Sequence, residues 1–225
     1  MSAAVGGSRV IAIIGGTGPE GRGLALRLAA AGAMVIIGSR SAERGRAAAE
    51  QVRAALPLAD VRGADNRSAA REGEILIVTV PYEGQKPTLE ALREEARGKV
   101  VITTVVPLAV TKSGVAILDV DEGSAAEQAQ ALLPEAKVAA AFQTVSAAQL
   151  AALERPVEAD VVVCSDDATA RDTAMALAGA IPGVCALDGG PLRNARFLEQ
   201  MTALLLVLGR RYKAHPSVRF TDIDT

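Results

Sequence analysis

Aromatic residues are scarce in this chain of 225 residues. They make up only 2% of it and include no tryptophan, so the stacking platforms that single-stranded nucleic acid needs are missing. The 24 Lys plus Arg and 26 Asp plus Glu give a net charge of −2, which provides no electrostatic reason to bind a polyanion or a membrane surface. We therefore expect neither nucleic acid nor a membrane as a partner.

Histidine and cysteine are also rare. His215 is the only histidine, which excludes a histidine metal cluster and a serine-hydrolase triad, so no metal site is expected. Cys164 and Cys185 lie in apolar surroundings without CxxC spacing, as buried thiols of a reducing compartment do. The chain shows no targeting signal and no apolar run of the ~20 residues that span a membrane. The sequence predicts a soluble cytoplasmic protein whose chemistry comes from a cofactor.

Half of the chain is hydrophobic, and apolar runs alternate with helical patterns. Runs rich in β-branched residues predict strands at 9–16, 33–39, 74–81, 99–107, 137–142 and 160–165. Amphipathic patterns predict intervening helices, the first two at 19–32 and 41–56. Strands that are apolar on both faces and separated by helices favour a parallel sheet covered on both sides. The predicted fold is α/β, a Rossmann-type doubly wound parallel sheet.

The pattern changes near the C-terminus. One long helix is predicted from Pro191 to about Lys213, with apolar residues on too much of its circumference for a lone surface helix. It packs onto its own domain, or it also builds a dimer interface and a wall of the active site. The sequence thus adds a small C-terminal α/β extension that ends in a long helix.

A glycine loop joins the first predicted strand to the first helix. Gly16, Gly18 and Gly21 have GxGxxG spacing, which in this context is typical of dinucleotide binding. We expect Gly16 to permit a tight turn, Gly18 to let a pyrophosphate approach the backbone, and Gly21 to let helix and strand pack closely. With Pro19 at the first helical position, backbone donors remain for the phosphates. Those donors belong to Thr17, Gly18, Glu20 and Gly21.

The second predicted strand ends in hydroxyl and basic residues. A carboxylate at this position would bond the ribose hydroxyls of NAD and repel a 2′-phosphate. Here the chain has Ser39, Arg40 and Ser41, with Arg44 one helical turn later. Two charge-assisted hydrogen bonds of about 1.5 to 3 kcal/mol each would favour NADP over NAD by on the order of a hundredfold. We therefore predict NADP(H) as the cofactor.

The fourth strand region offers a misleading motif and an informative one. Tyr82 and Lys86 have the YxxxK spacing of short-chain dehydrogenases, but they directly follow a strand and lack the long helix of that family. Val80 and Pro81 end the strand at the carboxyl edge of the sheet, where a nicotinamide ring would lie.

Several stretches, taken in order, resemble the NADPH-dependent reductases of coenzyme F420, the F420:NADP oxidoreductase family. They are "GGTGPEGRGLALRLAAAG", "IIGSRSAERGRAAAE", "TVP", "EGSAAEQAQALLPEAKVAAAF", "GGPLRNAR" and "RRYKAH". The resemblance spans nearly the whole chain. It implies an NADP-binding Rossmann domain at 1–142, a smaller substrate and dimerisation part at 143–225, a homodimer, and hydride transfer between the nicotinamide C4 and C5 of the deazaflavin.

The resemblance also implies site residues. The pyrophosphate would lie among Thr17, Gly18, Pro19 and Glu20, the 2′-phosphate against Ser39, Arg40 and Arg44, and the nicotinamide beside Val80 and Pro81. The deazaflavin would lie beside Gln143, Thr144, Val145, Ser146 and Ala147, with Pro191 and Leu192 closing the pocket. No residue is assigned as a chemical catalyst, because direct hydride transfer needs only stacked rings; Gln143, Thr144 and Pro81 would position them.

One departure from the family leaves the second substrate open. Family members commonly have histidine where this chain has Gln143, and glutamine can donate a hydrogen bond but cannot become cationic. F420, a flavin or another acceptor are all compatible. An NADP-dependent β-hydroxyacid or imine-type reductase, with Lys112 as its acid, and a non-catalytic NADPH sensor are the alternatives. The former generally has a longer C-terminal helical domain than the sequence offers.

Overall fold

A twisted sheet forms the centre of the protein, and its strands are short runs of β-branched and small apolar residues. The computed structural model describes residues 9–111 and 114–223. The strands are β1 (Val10–Ile14), β2 (Met34–Ser39), β3 (Val61–Asp65), β4 (Ile75–Val78), β5 (Val100–Thr103), β6 (Leu108–Val110), β7 (Val115–Ile117), β8 (Lys137–Ala140), β9 (Ala159–Ser165) and β10 (Val184–Asp188). The helices are α1 (Pro19–Ala30), α2 (Ala42–Ala55), α3 (Asn66–Glu72), α4 (Tyr82–Ala91), α5 (Arg93–Ala96), α6 (Ala125–Leu132), α7 (Ala147–Ala151), α8 (Ala168–Gly179) and α9 (Ala195–Tyr212).

The main sheet has the order β10-β9-β8-β5-β4-β1-β2-β3. Strands β1 to β5 and β8 run parallel, which confirms the Rossmann-type prediction for this part. Strand β9 runs antiparallel to β8 and β10 is parallel to β9, so the C-terminal strands reverse the direction of the sheet. The β8–β9 ladder has only two residue pairs, Ala139 with Ser165 and Ala140 with Cys164.

Two hydrophobic clusters cover the two faces of the sheet, as a doubly wound fold requires. On one face, α1 and α2 pack with α7 and α8 through residues such as Leu24, Val52 and Leu150. On the other face, α3, α4 and α6 pack with the first turn of α9 through residues such as Leu89 and Leu198.

Two features went unpredicted because their local patterns are weak. Strand β3 lies at the edge of the sheet, and only its first residue, Val61, is buried. The β6–β7 hairpin is mostly exposed. The long C-terminal helix also begins later than predicted: Leu192–Asn194 form a 3-10 turn, and α9 starts at Ala195.

The two cysteines differ in their exposure to solvent. Cys164 is buried as expected, and burial raises the pKa of its thiol to about 11. Cys185 was also expected to be buried but is partly exposed, because β10 is an edge strand with one face open. None of the helices in residues 9–111 and 114–223 is long and apolar enough to cross a membrane. Lys112 lies outside the described residues.

Candidate active site

The glycine loop lies at the carboxyl edge of the sheet, between β1 and α1. Gly15 has a φ of 71° and makes the sharp turn, a role the sequence assigned to Gly16. Gly15 N donates to Asn66 Oδ1 at 3.1 Å and Gly16 N donates to Gly38 O at 2.9 Å. A Cβ on Gly21 would lie 2.5 Å from the Cα of Gly16, so the close packing of helix on loop needs glycine here.

The space above Gly18 is open. A Cβ built on this residue would have no heavy atom within 4 Å, and Gly18 caps α1 without any side-chain hydrogen bond. Pro19 is the first helical residue, as predicted. The unpaired amides of a helix N-terminus bind phosphate oxygens well. The loop therefore fits a pyrophosphate that approaches its backbone.

The end of β2 places two arginines beside this loop. Ser39 is buried, whereas Arg40 and Arg44 are exposed. Within the described parts of the chain, neither guanidinium makes an ion pair or hydrogen bond, and Ser41 caps α2 without using its hydroxyl. A helix N-terminus, free hydroxyls and unpaired guanidinium groups together suit a phosphate group.

Val80 approaches the glycine loop from the neighbouring strand. Thr79 follows β4 and donates to the carbonyl of Ile14 through both its amide, at 2.9 Å, and its hydroxyl, at 3.1 Å. The side chain of Val80 lies where a Cβ on Gly15 would be. Pro81 is exposed at the same edge and precedes α4. Val80 thus lies next to the loop, and Pro81 follows it at the same edge of the sheet.

The segment that follows β8 is turned across the carboxyl edge by Phe142. This buried residue has a φ of 71°, a left-handed conformation that is rare for a large side chain. Gln143 is 6% exposed. Its Nε2 donates to Thr103 O at 3.2 Å, and its backbone carbonyl accepts from Thr202 Oγ1 at 2.9 Å. Because Thr103 fixes the amide orientation, Gln143 Oε1 is left as a buried acceptor with no partner among the described residues.

A cavity of about 880 Å³ joins the first turn of α1 to this segment. Pro19 and Glu20 line it together with Gln143, Thr144, Val145, Ser146 and Ala147. Helix α9 covers it through residues that include Thr202, Leu205 and Leu206. Such a volume lies in the range of small-molecule sites, and most of its lining is apolar.

Pro191 and Leu192 do not reach this cavity. Leu192 is 2% exposed and packs in the hydrophobic cluster of the opposite face, and its amide donates to Asp166 Oδ1 at 3.1 Å. The structure brings the other predicted site residues to one edge of the sheet but leaves Leu192 in the core and the half-buried Pro191 just before it, outside the cavity.

Known proteins are similar to this chain in sequence. The family model described as NADP oxidoreductase, coenzyme F420-dependent, matches residues 10–107. The F420-dependent NADP reductase of Methanocaldococcus jannaschii is 41% identical over 221 residues, which cover 95% of this chain and 99% of that protein. The chain belongs to the F420-dependent NADP reductase family.

Other members agree with that assignment. The F420-dependent NADP reductase of Methanothermobacter marburgensis is 43% identical over 223 residues, covering 95% of this chain and 98% of that protein. A solved structure from Arthrobacter sp. FB24, described as an F420-dependent NADP-reductase, has a TM-score of 0.78 at 26% identity and covers 93% of this chain and 96% of that one. The resemblance inferred from the sequence is confirmed.

Three residues of this family member went unnoticed in the sequence. Asn66 holds the amide of Gly15, Thr202 holds the carbonyl of Gln143, and Arg27 is buried beneath the cavity. Asn66 and Thr202 come from distant parts of the chain, and no local pattern marks them. Arg27 did leave a signal, because it is a cation on the apolar face of a predicted helix.

Glu20 is an acidic residue where an anionic coenzyme is expected. Its Oε1 is buried without a hydrogen-bond partner among the described residues, and burial raises the pKa of this carboxyl from 4.5 to about 8. The other charged or titratable side chains that line the cavity are Arg22, Arg210 and His215. At neutral pH Glu20 is therefore mostly a neutral acid that does not repel a pyrophosphate.

The raised pKa of Glu20 predicts a pH dependence of stability. Since folding raises this pKa, the contribution of Glu20 is complete below 4.5 and is lost as the pH rises towards about 8. Denaturant unfolding should show that the free energy of unfolding falls between pH 6 and 8 by about 2 kcal/mol more in the wild type than in Glu20→Gln. Equal slopes in the two proteins would contradict the raised pKa.

Proposed function

We propose that this protein transfers a hydride between NADP(H) and coenzyme F420. When bound, NADPH supplies the chemistry: its C4–H bond breaks, a C–H bond forms at C5 of the oxidised deazaflavin, and the product ring takes up a solvent proton as NADP⁺ is formed. The observation that carries the proposal is the cavity that joins the first turn of α1 to Gln143–Ala147. The names of the related reductases support the same pair of coenzymes.

In this proposal the protein binds and orients rather than exchanging protons. The amides of Thr17, Gly18, Glu20 and Gly21, with Pro19 as the first residue of α1, would hold the pyrophosphate. Ser39, Arg40 and Arg44 would hold the 2′-phosphate. Val80 and Pro81 would flank the nicotinamide and direct one face of it towards the cavity. Hydride transfer requires near-attack geometry and exclusion of water, and the mostly apolar lining of the cavity favours both once the two rings fill it.

The acceptor would lie beside Gln143, Thr144, Val145, Ser146 and Ala147, whereas Pro191 and Leu192 stand apart from this wall. Gln143 differs in effect from the histidine that family members commonly have. One of its N–H groups already donates to Thr103 O, and its Oε1 is buried without a partner among the described residues, so Gln143 would accept from a ring N–H once its amide turned towards the cavity. Deazaflavins and flavins both carry an imide N–H that can donate to such an acceptor.

The division of the chain at residue 142 belongs to the same proposal. Residues 1–142 would bind NADP, and residues 143–225 would complete the acceptor site. The short ladder between β8 and β9 supports a boundary close to this position.

Rapid mixing of NADPH with oxidised F420 tests the function. We expect the deazaflavin absorbance to bleach when NADPH is supplied and to bleach much more slowly with NADH. Flavin mononucleotide in place of F420 serves as the comparison for the acceptor. Tight NADPH binding without bleaching of either acceptor would overturn the proposal in favour of a non-catalytic NADPH sensor.

The arginines after β2 predict the choice of dinucleotide. Arg40→Ala and Arg44→Ala should each weaken NADPH binding by roughly tenfold to a hundredfold, because each removes a charge-assisted hydrogen bond of about 1.5 to 3 kcal/mol. NADH binding should be unchanged in fluorescence titrations. Arg46→Ala removes the same charge from another side of α2 and is the matched control. Equal losses for NADPH and NADH would contradict the assignment of a 2′-phosphate site.

We also propose a homodimer in the cytoplasm. Exposed apolar residues follow one another along α9: Phe197 is 59% exposed, Leu204 57% and Val207 46%. An exposed patch of this kind is typical of a protein interface.

The buried Cys164 thiol, whose raised pKa keeps it unreactive, suits a reducing compartment. Fractionation of the native host cells would test the cytoplasmic location.

A charge on α9 should separate the subunits. Leu204→Glu is expected to convert the dimer to a monomer in analytical ultracentrifugation, since a buried unpaired carboxylate is costly. Leu58→Glu changes a fully exposed leucine in a loop and should leave the mass unchanged. A wild-type protein that sediments as a monomer would refute the dimer.

A further inference from the structure

Arg27 is a buried cation in the last turn of α1. Its side chain lies among apolar residues and is only 3% exposed. The guanidinium donates to four backbone carbonyls: Nε to Leu150 O at 2.9 Å, and Nη2 to Gln149 O at 2.8 Å, Ala152 O at 2.6 Å and Arg155 O at 3.0 Å. All four belong to the C-terminal end of α7 and the turn after it.

The contact with Arg27 matters because α7 is a short helix. The helix has five residues, which is too short to be stable by itself. Its last carbonyls form the negative end of the helix dipole, and Gln149 O accepts a long hydrogen bond from the Ala152 amide, at 3.3 Å, so a buried guanidinium adds stabilisation at this end. The packing of the two helices is equally close, because a Cβ on Gly23 would lie 2.6 Å from the Cβ of Leu150. Arg27 and Gly23 therefore fix the place of α7 on α1.

Both coenzyme half-sites are attached to this pair of helices. Helix α1 begins at Pro19, directly after the glycine loop. Helix α7 begins at Ala147, directly after Gln143–Ser146. Strand β8 leads into this segment and lies in the same sheet as β1, to which it is joined through β5 and β4, so the sheet sets the overall separation of loop and segment. The contact of α1 with α7 then sets how closely residues 144–147 approach the first turn of α1.

We propose that Arg27 is a positioning residue that sets the spacing between the NADP and acceptor half-sites. The inference rests on the proposed function. Arg27 is buried in the last turn of α1, at the end of the helix opposite to the glycine loop, so it would act on the coenzymes through α7. Hydride transfer is sensitive to such spacing, since a misplacement of about 1 Å can cost on the order of a hundredfold in rate.

Arg27→Lys tests this role while keeping the charge. Lysine lacks the planar fork and cannot serve four carbonyls at once. We expect the NADPH dissociation constant to stay within about twofold, because the glycine loop is intact, and the single-turnover bleaching rate to fall by about tenfold or more. Amide hydrogen exchange should accelerate in residues 143–155. The deuterium isotope effect measured with NADPH labelled at C4 should become more temperature-dependent as the spacing loosens.

Two further variants separate positioning from general instability. Gly23→Ala adds a methyl group that pushes α7 away from α1 without changing Arg27. It should therefore give the same slower bleaching and faster amide exchange, and it tests the proposal by itself if Arg27→Lys does not fold. Leu177→Ala opens a cavity in α8, outside the α1–α7 contact, and should lower the melting temperature while leaving single-turnover bleaching within about twofold.

The outcomes are distinguishable. A wild-type rate in the folded Arg27→Lys and Gly23→Ala proteins, or a loss no larger than in Leu177→Ala, would overturn the positioning role. Failure of the wild type itself to bleach F420 would instead overturn the proposed function. In that case unchanged hydrogen exchange at 143–155 in Arg27→Lys would reject the link between α1 and α7, and faster exchange would support it.

Discussion

The approach of α1 to the carboxyl edge of the sheet is the constraint on which the rest of this structure depends. The first turn of the helix touches the loop before it, and the Cα of Gly16 occupies the space that a side chain on Gly21 would need. This contact aims the free amides of the helix at the open space above Gly18. It also fixes the direction of α1, and through that direction the place where α7 can pack.

The charges around the site follow from the same geometry. Exposed guanidinium groups stand at the start of α2 without partners among the described residues, while the carboxyl of Glu20 in the first turn of α1 is held mostly neutral by burial. Unpaired cations of this kind favour an anionic ligand. The apolar cavity beyond it favours a flat, largely uncharged ring system.

The location of most of the proposed site residues could be predicted from local sequence patterns. The glycine spacing, the residues after β2 and the end of β4 all lie at strand ends in a fixed topology, so their meeting follows from the parallel sheet. Leu192 was expected to close the acceptor pocket but lies in the core. Its position depends on how α9 packs, and no sequence periodicity predicts that packing. The reversal of β9 was missed for a similar reason: an apolar run predicts a strand but not its direction. Arg27 was visible as a charge on an apolar face, but its four acceptors are more than a hundred residues away in sequence.

The left-handed backbone at Phe142 has a consequence for how this fold tolerates change. A large side chain in that conformation is retained only where its surroundings compensate for the strain, and here the ring is enclosed completely by the core. Glycine would relax the backbone but leave a void, and smaller apolar residues would leave both the strain and the void. Phe142 therefore determines two properties: the packing of the core and the angle at which the next segment leaves the sheet. A substitution at this position changes both.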